Sequence, residues 1–497
     1  MKKVVFLSLF IPSIIFSQWV QQNAPSNIIT IASINFYDAN TGVACGVGGL
    51  SYGAAAYTTN SGVNWISAQI PDSTRALVKV QFINNYTGYA VGSYNIVMNC
   101  RKDNNYNGKN LTYRLERYYD GNLTPIDAED FRGLFLKTTD GGRTWVTHGN
   151  LPANVYYLLG IRFINENTGF ATASLNFFVN IKDAVLKTTN GGENWISLYT
   201  IDTAYINNIY TLDGSNLFVA GTKWRYGNIY TGMILKSSNS GSSWNVQLFN
   251  DTKTISDVNF PNLSTGFAVS HLGIVLIDTL IDAFIYKTTN TGTNWVKLNF
   301  QNPRTSYESV EFVPGTGKGF AAGWKLTPQY TDEGLLISRT TNYGMNWSNY
   351  FISDTSHDLR CSSIADANVW FVGGGIPAII YKSTNGGAIG IQPVSNEVPN
   401  KFSLLQNYPN PFNPVTKIKF SLPSPFKGGV VFVRLVVYDV LGKEVASLIP
   451  PLRGGQEGLT PGTYEVTWDA SNFPSGVYFY KLVTNEYSET KKMVLIK

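Results

Sequence analysis

A phrase of the form [ST]-x-[DN]-x-G-x-[STN]-W occurs six times in this chain of 497 residues and constrains its fold more than any other feature. The Trp residues from Trp145 onward are 50, 49, 51 and 52 positions apart, whereas Trp65 and Trp145 are 80 apart. Self-similarity at a period near fifty residues is typical of repeat architectures, and the longer first interval indicates an insertion. The copies are 58–65, 138–145, 188–195, 237–244, 288–295 and 340–347, and residues 383–387 begin a seventh copy that lacks the Trp.

A second phrase precedes each copy of the first, and its pattern is that of a β-hairpin. An alternating apolar segment leads into a turn rich in Asn, Thr and Gly, and a second apolar segment follows. The copies are INFYDANTGVACG (34–46), VQFINNYTGYAVG (80–92), IRFINENTGFATA (161–173), IYTLDGSNLFVAG (209–221), VNFPNLSTGFAVS (258–270), VEFVPGTGKGFAAG (310–323) and SIADANVWFVGGG (363–375). A third strand leads into the repeated phrase, and a fourth begins at its Trp. Four short strands per repeat, seven times over, predict an all-β chain with a seven-bladed β-propeller.

The seventh repeat lacks a fourth strand, and the other end of the chain can supply one. After STNGG (383–387) the sequence has no Trp, whereas Trp19-Val20 near the N-terminus looks like the start of a fourth strand. We therefore expect residues 18–22 to complete the last blade. Joining the first and last blades in this way removes two exposed sheet edges.

The N-terminus and the composition favour an exported protein. Lys2 and Lys3 precede an apolar run that is too short to span a bilayer, which predicts a signal peptide at 1–17. Only 14% of residues are charged and the net charge is +5, so nucleic acid is an improbable partner. Three cysteines and three histidines at scattered positions form neither a disulfide framework nor a metal-ligand spacing, and we expect no metal and no cofactor.

The repeated phrase resembles the Asp box (BNR repeat) of sialidases, sortilin-type receptors and xyloglucanase-type propellers. Its Asp or Asn accepts hydrogen bonds from the backbone of its own turn, its Gly permits a positive φ, and its Trp packs between neighbouring blades. Calcium binding would require more carboxylates, so the phrase is interpreted as scaffolding. The residues assigned to this structural role are Asn60, Trp65, Asp140, Trp145, Asn190, Trp195, Asn239, Trp244, Asn290, Trp295, Asn342 and Trp347.

The loops between second and third strands vary most, and they form the candidate binding face. The insertion at about 93–133 and the segments at 222–232 and 323–334 carry aromatic and charged residues suited to a sugar or an extended peptide. The alternative is that these aromatics pack the loops on one another. The candidate binding residues are Tyr118, Tyr119, Trp224, Arg225, Tyr226, Trp324 and Tyr330, together with Arg162 and Glu311 from the inner strands.

The sequence gives little support for catalysis, and no catalytic residue is assigned. A sialidase resemblance would imply an Arg-Ile-Pro segment, which is missing, and a xyloglucanase resemblance would imply two tandem propellers. Arg162 and Glu311 occupy one polar position of the inner strands, where other repeats have Asn35, Gln81 and Asn259. A charge at this position could line a solvated channel, or it could serve in a carboxylate pair or in substrate binding.

The composition changes after residue 388. Residues 391–401 read as a linker, and 402–497 as a small antiparallel β-sandwich. The segments NYPNPFNP, VYDVLGKEV and PSGVYFYKL resemble the C-terminal sorting domain of the type IX secretion system, type A. That resemblance implies an immunoglobulin-like sandwich, the secretion machinery as a partner, and a location outside a Gram-negative cell or on its outer-membrane surface.

The complete interpretation is a signal peptide at 1–17, a propeller at 18–390, a linker at 391–401 and a sorting domain at 402–497. The function favoured by the sequence is a non-enzymatic secreted or cell-surface binding protein that recognises a glycan or a protein. Two alternatives stay open: a secreted glycoside hydrolase, and an assembly-factor-like propeller with a protein partner. No integral membrane span is expected.

Overall fold

Every regular element in the described part of the chain is a β-strand. The computed structural model describes residues 19–49, 52–94, 132–176, 182–225, 229–249, 253–271, 283–298, 304–327, 332–352, 354, 357–387, 391–395, 398–424, 431, 433–449, 461–470 and 473–496. The predicted signal peptide and most of the predicted insertion at 93–133 lie outside these residues. Within them, no helix is long and apolar enough to cross a membrane.

The chain divides into two compact units, Gln21–Gly387 and a unit that includes Ala388–Lys497. The larger unit contains seven four-stranded sheets, numbered here in chain order. The first three consist of β2 (Thr30–Phe36), β3 (Gly42–Val47), β4 (Gly53–Thr58) and β5 (Ile66–Ser67); β6 (Thr74–Phe82), β7 (Gly88–Tyr94), β8 (Arg132–Thr138) and β9 (Val146–Thr147); and β10 (Tyr157–Phe163), β11 (Gly169–Asn176), β12 (Lys182–Thr188) and β13 (Ile196–Asp202).

The next three sheets repeat this arrangement, with consecutive strands pairing antiparallel throughout. They consist of β14 (Ala204–Tyr210), β15 (Leu217–Arg225), β16 (Ile229–Ser237) and β17 (Asn245–Leu248); β18 (Thr254–Asn259), β19 (Gly266–His271), β20 (Ile285–Thr288) and β21 (Val296–Lys297); and β22 (Thr305–Phe312), β23 (Gly319–Leu326), β24 (Asp332–Thr340) and β25 (Ser348–Ile352).

The seventh sheet confirms the prediction made for the N-terminus. It has three strands that are consecutive in the chain, β26 (Leu359–Ile364), β27 (Trp370–Gly374) and β28 (Ile379–Ser383). Its fourth strand is β1 (Val20–Gln22), which lies beside β28. The strand that opens the described chain therefore completes the last sheet of the larger unit.

Burial along each sheet follows from the packing of sheets face to face. The second strands are buried on both faces, as in β3 and β19, whereas the short fourth strands β5, β9 and β21 are exposed. Hydrophobic clusters join the first sheet to the second, and so on in order to the sixth. Phe320 of the sixth sheet stacks on Trp370 of the seventh, and a further cluster joins the seventh sheet to the first.

The first strand of each sheet, called the inner strand here, carries an irregularity at the same place, and β6 carries a second one at Arg75. The register between first and second strands shifts by one residue at Ala32, Val78, Leu159, Asn207, Ser256, Glu308 and Arg360. Such β-bulges bend a strand and re-aim its side chains. In each inner strand the bulged residue lies four positions before the residue that ends the repeat's first apolar segment, for example Ala32 before Phe36 and Val78 before Phe82.

The smaller unit consists of two four-stranded sheets packed around one hydrophobic core. The first has the order β29-β34-β31-β30 and the second the order β33-β32-β35-β36. Their strands are β29 (Ile391–Ser395), β30 (Ser403–Leu404), β31 (Val415–Leu422), β32 (Val433–Tyr438), β33 (Glu444–Ile449), β34 (Gly462–Asp469), β35 (Gly476–Thr484) and β36 (Ser488–Leu495).

Part of the predicted linker belongs to this smaller unit. Ile391–Ser395 forms β29, an edge strand paired antiparallel with β34. Pro393 made this segment read as a linker, because proline cannot donate a ladder hydrogen bond. An edge strand tolerates proline, since one side of its backbone needs no partner strand.

Candidate functional site

The sequence-predicted binding residues are only partly covered by the described structure. Tyr118, Tyr119, Tyr226 and Tyr330 lie outside the described residues, whereas Trp224 and Arg225 end β15. Two others, Arg162 and Glu311, lie within inner strands, and Trp324 is partly exposed near the end of β23.

The position shared by Arg162 and Glu311 links most of the sheets to the next, whereas the Oδ1 of Asn259, at this position in the fifth sheet, has no hydrogen-bond partner among the described residues. Asn35 Oδ1 accepts a hydrogen bond from Phe82 N, and Gln81 Oε1 accepts one from Phe163 N. The Tyr210 hydroxyl donates to Phe260 O in the same direction around the unit. These side chains therefore satisfy backbone groups on the neighbouring sheet that would otherwise be left without partners.

Arg162 and Glu311 make the same kind of link. Arg162 Nε donates to Thr211 O at 3.2 Å, and its guanidinium lies 4.6 Å from the centre of the Tyr210 ring. Glu311 accepts hydrogen bonds from the Ile364 N–H and the Ser362 side chain. Burial raises the pKa of Glu311, and the nearby Asp257 carboxyl raises it further, against the opposing effect of Lys79.

Asp257 lies on β18, the inner strand of the fifth sheet, two residues before Asn259. It is almost completely buried. It accepts hydrogen bonds from Val310 N and Val258 N, both at 2.9 Å, and from the Asn208 amide. Burial raises its pKa, and Lys79 and these hydrogen bonds act in the opposite direction. The two carboxyls of this region thus both hold the backbone of the next sheet.

A second set of charged residues lies at what we call the variable edge, where the inner strands begin and the second strands end. In the fifth to seventh sheets this edge carries four close pairs of a basic and an acidic side chain, contributed by strand ends and by the segment before β26; the two pairs that contain His are ion pairs only when the His is protonated. They are His271–Glu308 (3.4 Å), Lys325–Glu333 (3.2 Å), Asp354–His357 (2.7 Å) and Asp358–Arg360 (2.8 Å). Trp324 precedes Lys325 on β23, so an aromatic residue and the Lys325–Glu333 ion pair occupy the same edge.

The opposite edge carries the repeated phrase, which we call the repeat-turn edge. Asp140 Oδ1 accepts hydrogen bonds from Arg143 N and Thr144 N, and Asn190 Oδ1 accepts one from Asn194 N. The same bond is made by Asn60, Asn239, Asn290 and Asn342. The glycines of the turns have the expected positive φ, for example 81° at Gly62 and 90° at Gly192. The hydrogen bonds predicted for the turn are therefore present.

Each Trp of the repeated phrase contacts aromatic rings at a boundary between sheets. Trp195 meets Phe135 of the second sheet and Phe163 of the third edge-on, at 5.2 and 5.9 Å between ring centres. Trp347 contacts Phe267 of the fifth sheet and Phe312 of the sixth. These contacts place the Trp195 and Trp347 rings at boundaries between sheets.

Sequence reasoning missed the basic residue that precedes every repeat turn except the first, where Tyr57 stands. Lys287 lies 5.8 Å from the Phe267 ring centre, and its Nζ donates to Tyr343 O, in the turn of the next sheet, at 2.6 Å. Arg339 likewise donates to Gly386 O and lies over Trp370. The recurring KTT and KSS segments were a sequence signal for this link, but the partner lies in another repeat.

The seventh sheet replaces its missing Trp by a different residue. In the first sheet Gly42 lies against the ring of Phe36, and a Cβ atom at Gly42 would come within 2.6 Å of that ring. The seventh sheet has Ile364 and Trp370 at these two positions. Trp370 is fully buried, packs near Gly387 and donates its Nε1–H to Asp366 O at 3.1 Å.

Among the described residues, no group of three or more His, Cys, Asp or Glu side chains could hold a metal ion. Cys45 and Cys361 are both buried free thiols, and burial raises the pKa of each. Cys361 belongs to the hydrophobic cluster between the seventh and first sheets, and Cys45 to the cluster between the first and second.

The fold resembles several solved structures at low sequence identity. The GH74 enzyme of Niastella koreensis aligns with 12% identity over 93% of this chain and 77% of that chain, with a TM-score of 0.37. A PL25 ulvan lyase aligns with 8% identity over 74% and 96% of the two chains, with a TM-score of 0.48. The NanB sialidase of Streptococcus pneumoniae aligns with 13% identity over 74% and 70%, with a TM-score of 0.36. No curated protein matches the chain.

Residues 406–497 match the family described as "Secretion system C-terminal sorting domain". The match covers most of the smaller unit, from the segment before β31 to the end of β36. A sorting domain of this kind addresses its chain to the type IX secretion machinery. The protein is therefore secreted by, or displayed on the outer-membrane surface of, a Gram-negative bacterium, and its C-terminal part is a type IX sorting domain.

Proposed function

We propose that the larger unit is a seven-bladed Asp-box β-propeller, corresponding to residues 18–390, followed by an immunoglobulin-like sorting sandwich. The number of four-stranded sheets, the repeat-turn chemistry and the inter-sheet hydrogen bonds support this assignment. The bond from Phe36 N to Ser363 Oγ supports closure, because it repeats between the seventh and first sheets the link made between the first and second.

The function that we infer for this propeller is non-enzymatic recognition of an extracellular glycan or protein through the variable edge. The observation that carries it is that Arg162, Asp257 and Glu311 bond to the backbone of the next sheet. Charged side chains used in this way support the ring. Recognition is left to the variable edge, where Trp324 directly precedes Lys325 of the Lys325–Glu333 ion pair.

A second candidate is a glycoside hydrolase that uses Glu311. Glu311 Oε2 is buried without a hydrogen-bond partner in the described residues, and the pKa of this carboxyl is raised, as a general acid requires. Asp257 is the neighbouring carboxyl, but its hydrogen bonds to two backbone N–H groups and an amide occupy its oxygens. These three hydrogen bonds give Asp257 a structural role, which favours the binding protein over the hydrolase.

The test uses the full secreted chain on a glycan array, with release of reducing ends measured on the same polysaccharides. Saturable binding without turnover is expected, and Trp324→Ala should weaken it by about ten-fold or more. The matched control is Tyr86→Ala, which removes an exposed aromatic from the repeat-turn edge and should leave binding unchanged.

If the chain releases reducing ends at a steady rate, and Glu311→Gln abolishes that release, the glycoside hydrolase replaces the binding protein as the proposed function. Binding to no glycan would remove the glycan form of the proposal and leave a protein ligand. Affinity capture on the wild-type chain, compared with Trp324→Ala, then tests that remaining form, which includes an assembly-factor role.

A further inference from the structure

The turn between β32 and β33 exposes two adjacent apolar side chains to solvent. Val440 is 65% exposed and Leu441 is 89% exposed. Leu441 is the most exposed large hydrophobic residue in the described part of the chain, and nowhere else in that part are two consecutive large hydrophobic residues both exposed. Scattered single exposures are ordinary on protein surfaces, but an adjacent pair at a turn tip is not.

The turn that carries this pair is held rigidly. Asp439 Oδ1 accepts hydrogen bonds from Leu441 N at 2.9 Å and from Lys443 N at 3.0 Å. The Asp439 backbone pairs with Gly442 and Lys443, and Gly442 has a φ of 77°. Below the turn, Arg434 and Glu444 form an ion pair at 2.6 Å. The two apolar side chains are therefore presented on a preformed support, which lowers the entropy cost of binding.

The chemistry of the turn does not require apolar residues at its tip. Asp at the first position and Gly at the fourth satisfy this turn, and the two central positions accept most residues. Neither Val440 nor Leu441 belongs to the hydrophobic core of the smaller unit. Their exposure thus contributes nothing to the fold, and it is explained if they are buried in a partner.

We propose that Val440 and Leu441 form a docking knob that inserts into an apolar pocket on a protein component of the type IX secretion machinery. The knob lies inside residues 406–497, the part of the chain that addresses this machinery. Asp439 and Lys443 flank it, so an apolar centre has a charged rim, as in protein interfaces. The small contact suits a partner that must release the chain after transport.

The test is export of the full chain from its native host, measured as the fraction of protein outside the cell or on its surface. The double variant Val440→Thr/Leu441→Ser should lower that fraction by about ten-fold. The control is Leu263→Ser, which removes an exposed leucine from the larger unit and should leave export unchanged. Export of the double variant within about two-fold of wild type would overturn the proposal.

Misfolding and self-association are separated by two further measurements. The single variant Leu441→Met keeps an apolar tip and should be exported like the wild type, whereas Leu441→Gln should be exported less. Equal export of these two variants would contradict the docking knob. If the wild type forms a dimer that the double variant does not form, and export is unchanged, Val440 and Leu441 serve contact between copies of this chain. That result would also overturn the docking knob.

Discussion

The backbone N–H of Phe36 donates a hydrogen bond of 2.8 Å to the hydroxyl of Ser363, although 327 positions separate the two residues. Phe36 ends the inner strand of the first sheet, and Ser363 occupies the inner strand of the seventh. Phe82 and Asn35 form the same link between the second and first sheets. One repeated contact therefore serves both between neighbouring repeats and between the two ends of the larger unit.

Replacing Ser363 by Ala should destabilise the larger unit. The change leaves the buried Phe36 N–H without its acceptor, at an expected cost of about 1–3 kcal/mol in the free energy of unfolding. Denaturant unfolding followed by Trp fluorescence measures this cost. Ser67→Ala, at an exposed position of β5, is the control and should change stability by no more than about 0.5 kcal/mol. Equal effects of the two changes would contradict a role for Ser363 in joining the ends.

The raised pKa of Glu311 predicts a specific pH dependence of stability. Burial raises the folded-state pKa above the unfolded value, so the folded state is favoured below the unfolded pKa and loses this advantage as the pH rises through the folded pKa. Glu311→Gln removes the titration. The stability of this variant relative to wild type should therefore increase as the pH rises from about 4 to 8. Parallel stability curves for the two proteins over this range would show that Glu311 does not carry the shift.

Asp140 should show the opposite pH dependence. Burial alone would raise its pKa, but hydrogen bonds from Thr144, Thr138 and Arg143 outweigh burial and lower that pKa. The stabilising contribution of its carboxylate is then present above the unfolded pKa and lost as the pH falls through the folded pKa.

Asp140→Asn is expected to be nearly neutral at pH 7, because asparagine makes the equivalent turn bonds elsewhere. In the fourth sheet Asn239 accepts from Ser243 N and donates its Nδ2–H to the Ser243 hydroxyl. Below about pH 4 the wild type should lose stability relative to the variant. Urea unfolding at pH 3 and pH 7 checks both expectations. A large loss at pH 7 would mean that the carboxylate has a role that Asn cannot fill.

The features that the sequence predicted well are those determined within one repeat. Strand alternation depends on neighbours along the chain, and the turn bonds of Asn60 or Asn190 join residues only four positions apart. Even the use of β1 in the seventh sheet could be predicted, because a phrase that lacks its Trp leaves a gap that Trp19-Val20 matches in pattern.

The features that the sequence did not reveal join different repeats through unlike residues. The inner-strand position is filled by Asn35, Gln81, Arg162 or Tyr210, and these share only a polar atom that reaches the next sheet. Residue type therefore suggested a channel lining or a substrate contact at Arg162 and Glu311. Only the hydrogen bonds between sheets show that such side chains meet the backbone of the neighbouring sheet.

Trp370 and Ile364 allow a test of how the seventh sheet compensates for its missing Trp. Trp370→Gly copies the glycine of the first sheet but removes a fully buried ring that stacks on Phe320 at 5.1 Å, so it should cost about 3–5 kcal/mol. Ile364→Phe alone should also destabilise, since an aromatic ring at this position requires glycine opposite, as at Gly42. The double variant restores the Phe–Gly pairing found in five of the other sheets and should be more stable than the sum of the single changes predicts. A double-mutant cycle by chemical unfolding measures the coupling. A coupling energy near zero would mean that the residues at positions 364 and 370 affect stability independently. The Ile364–Trp370 pair would then not be the counterpart of the Phe–Gly pair.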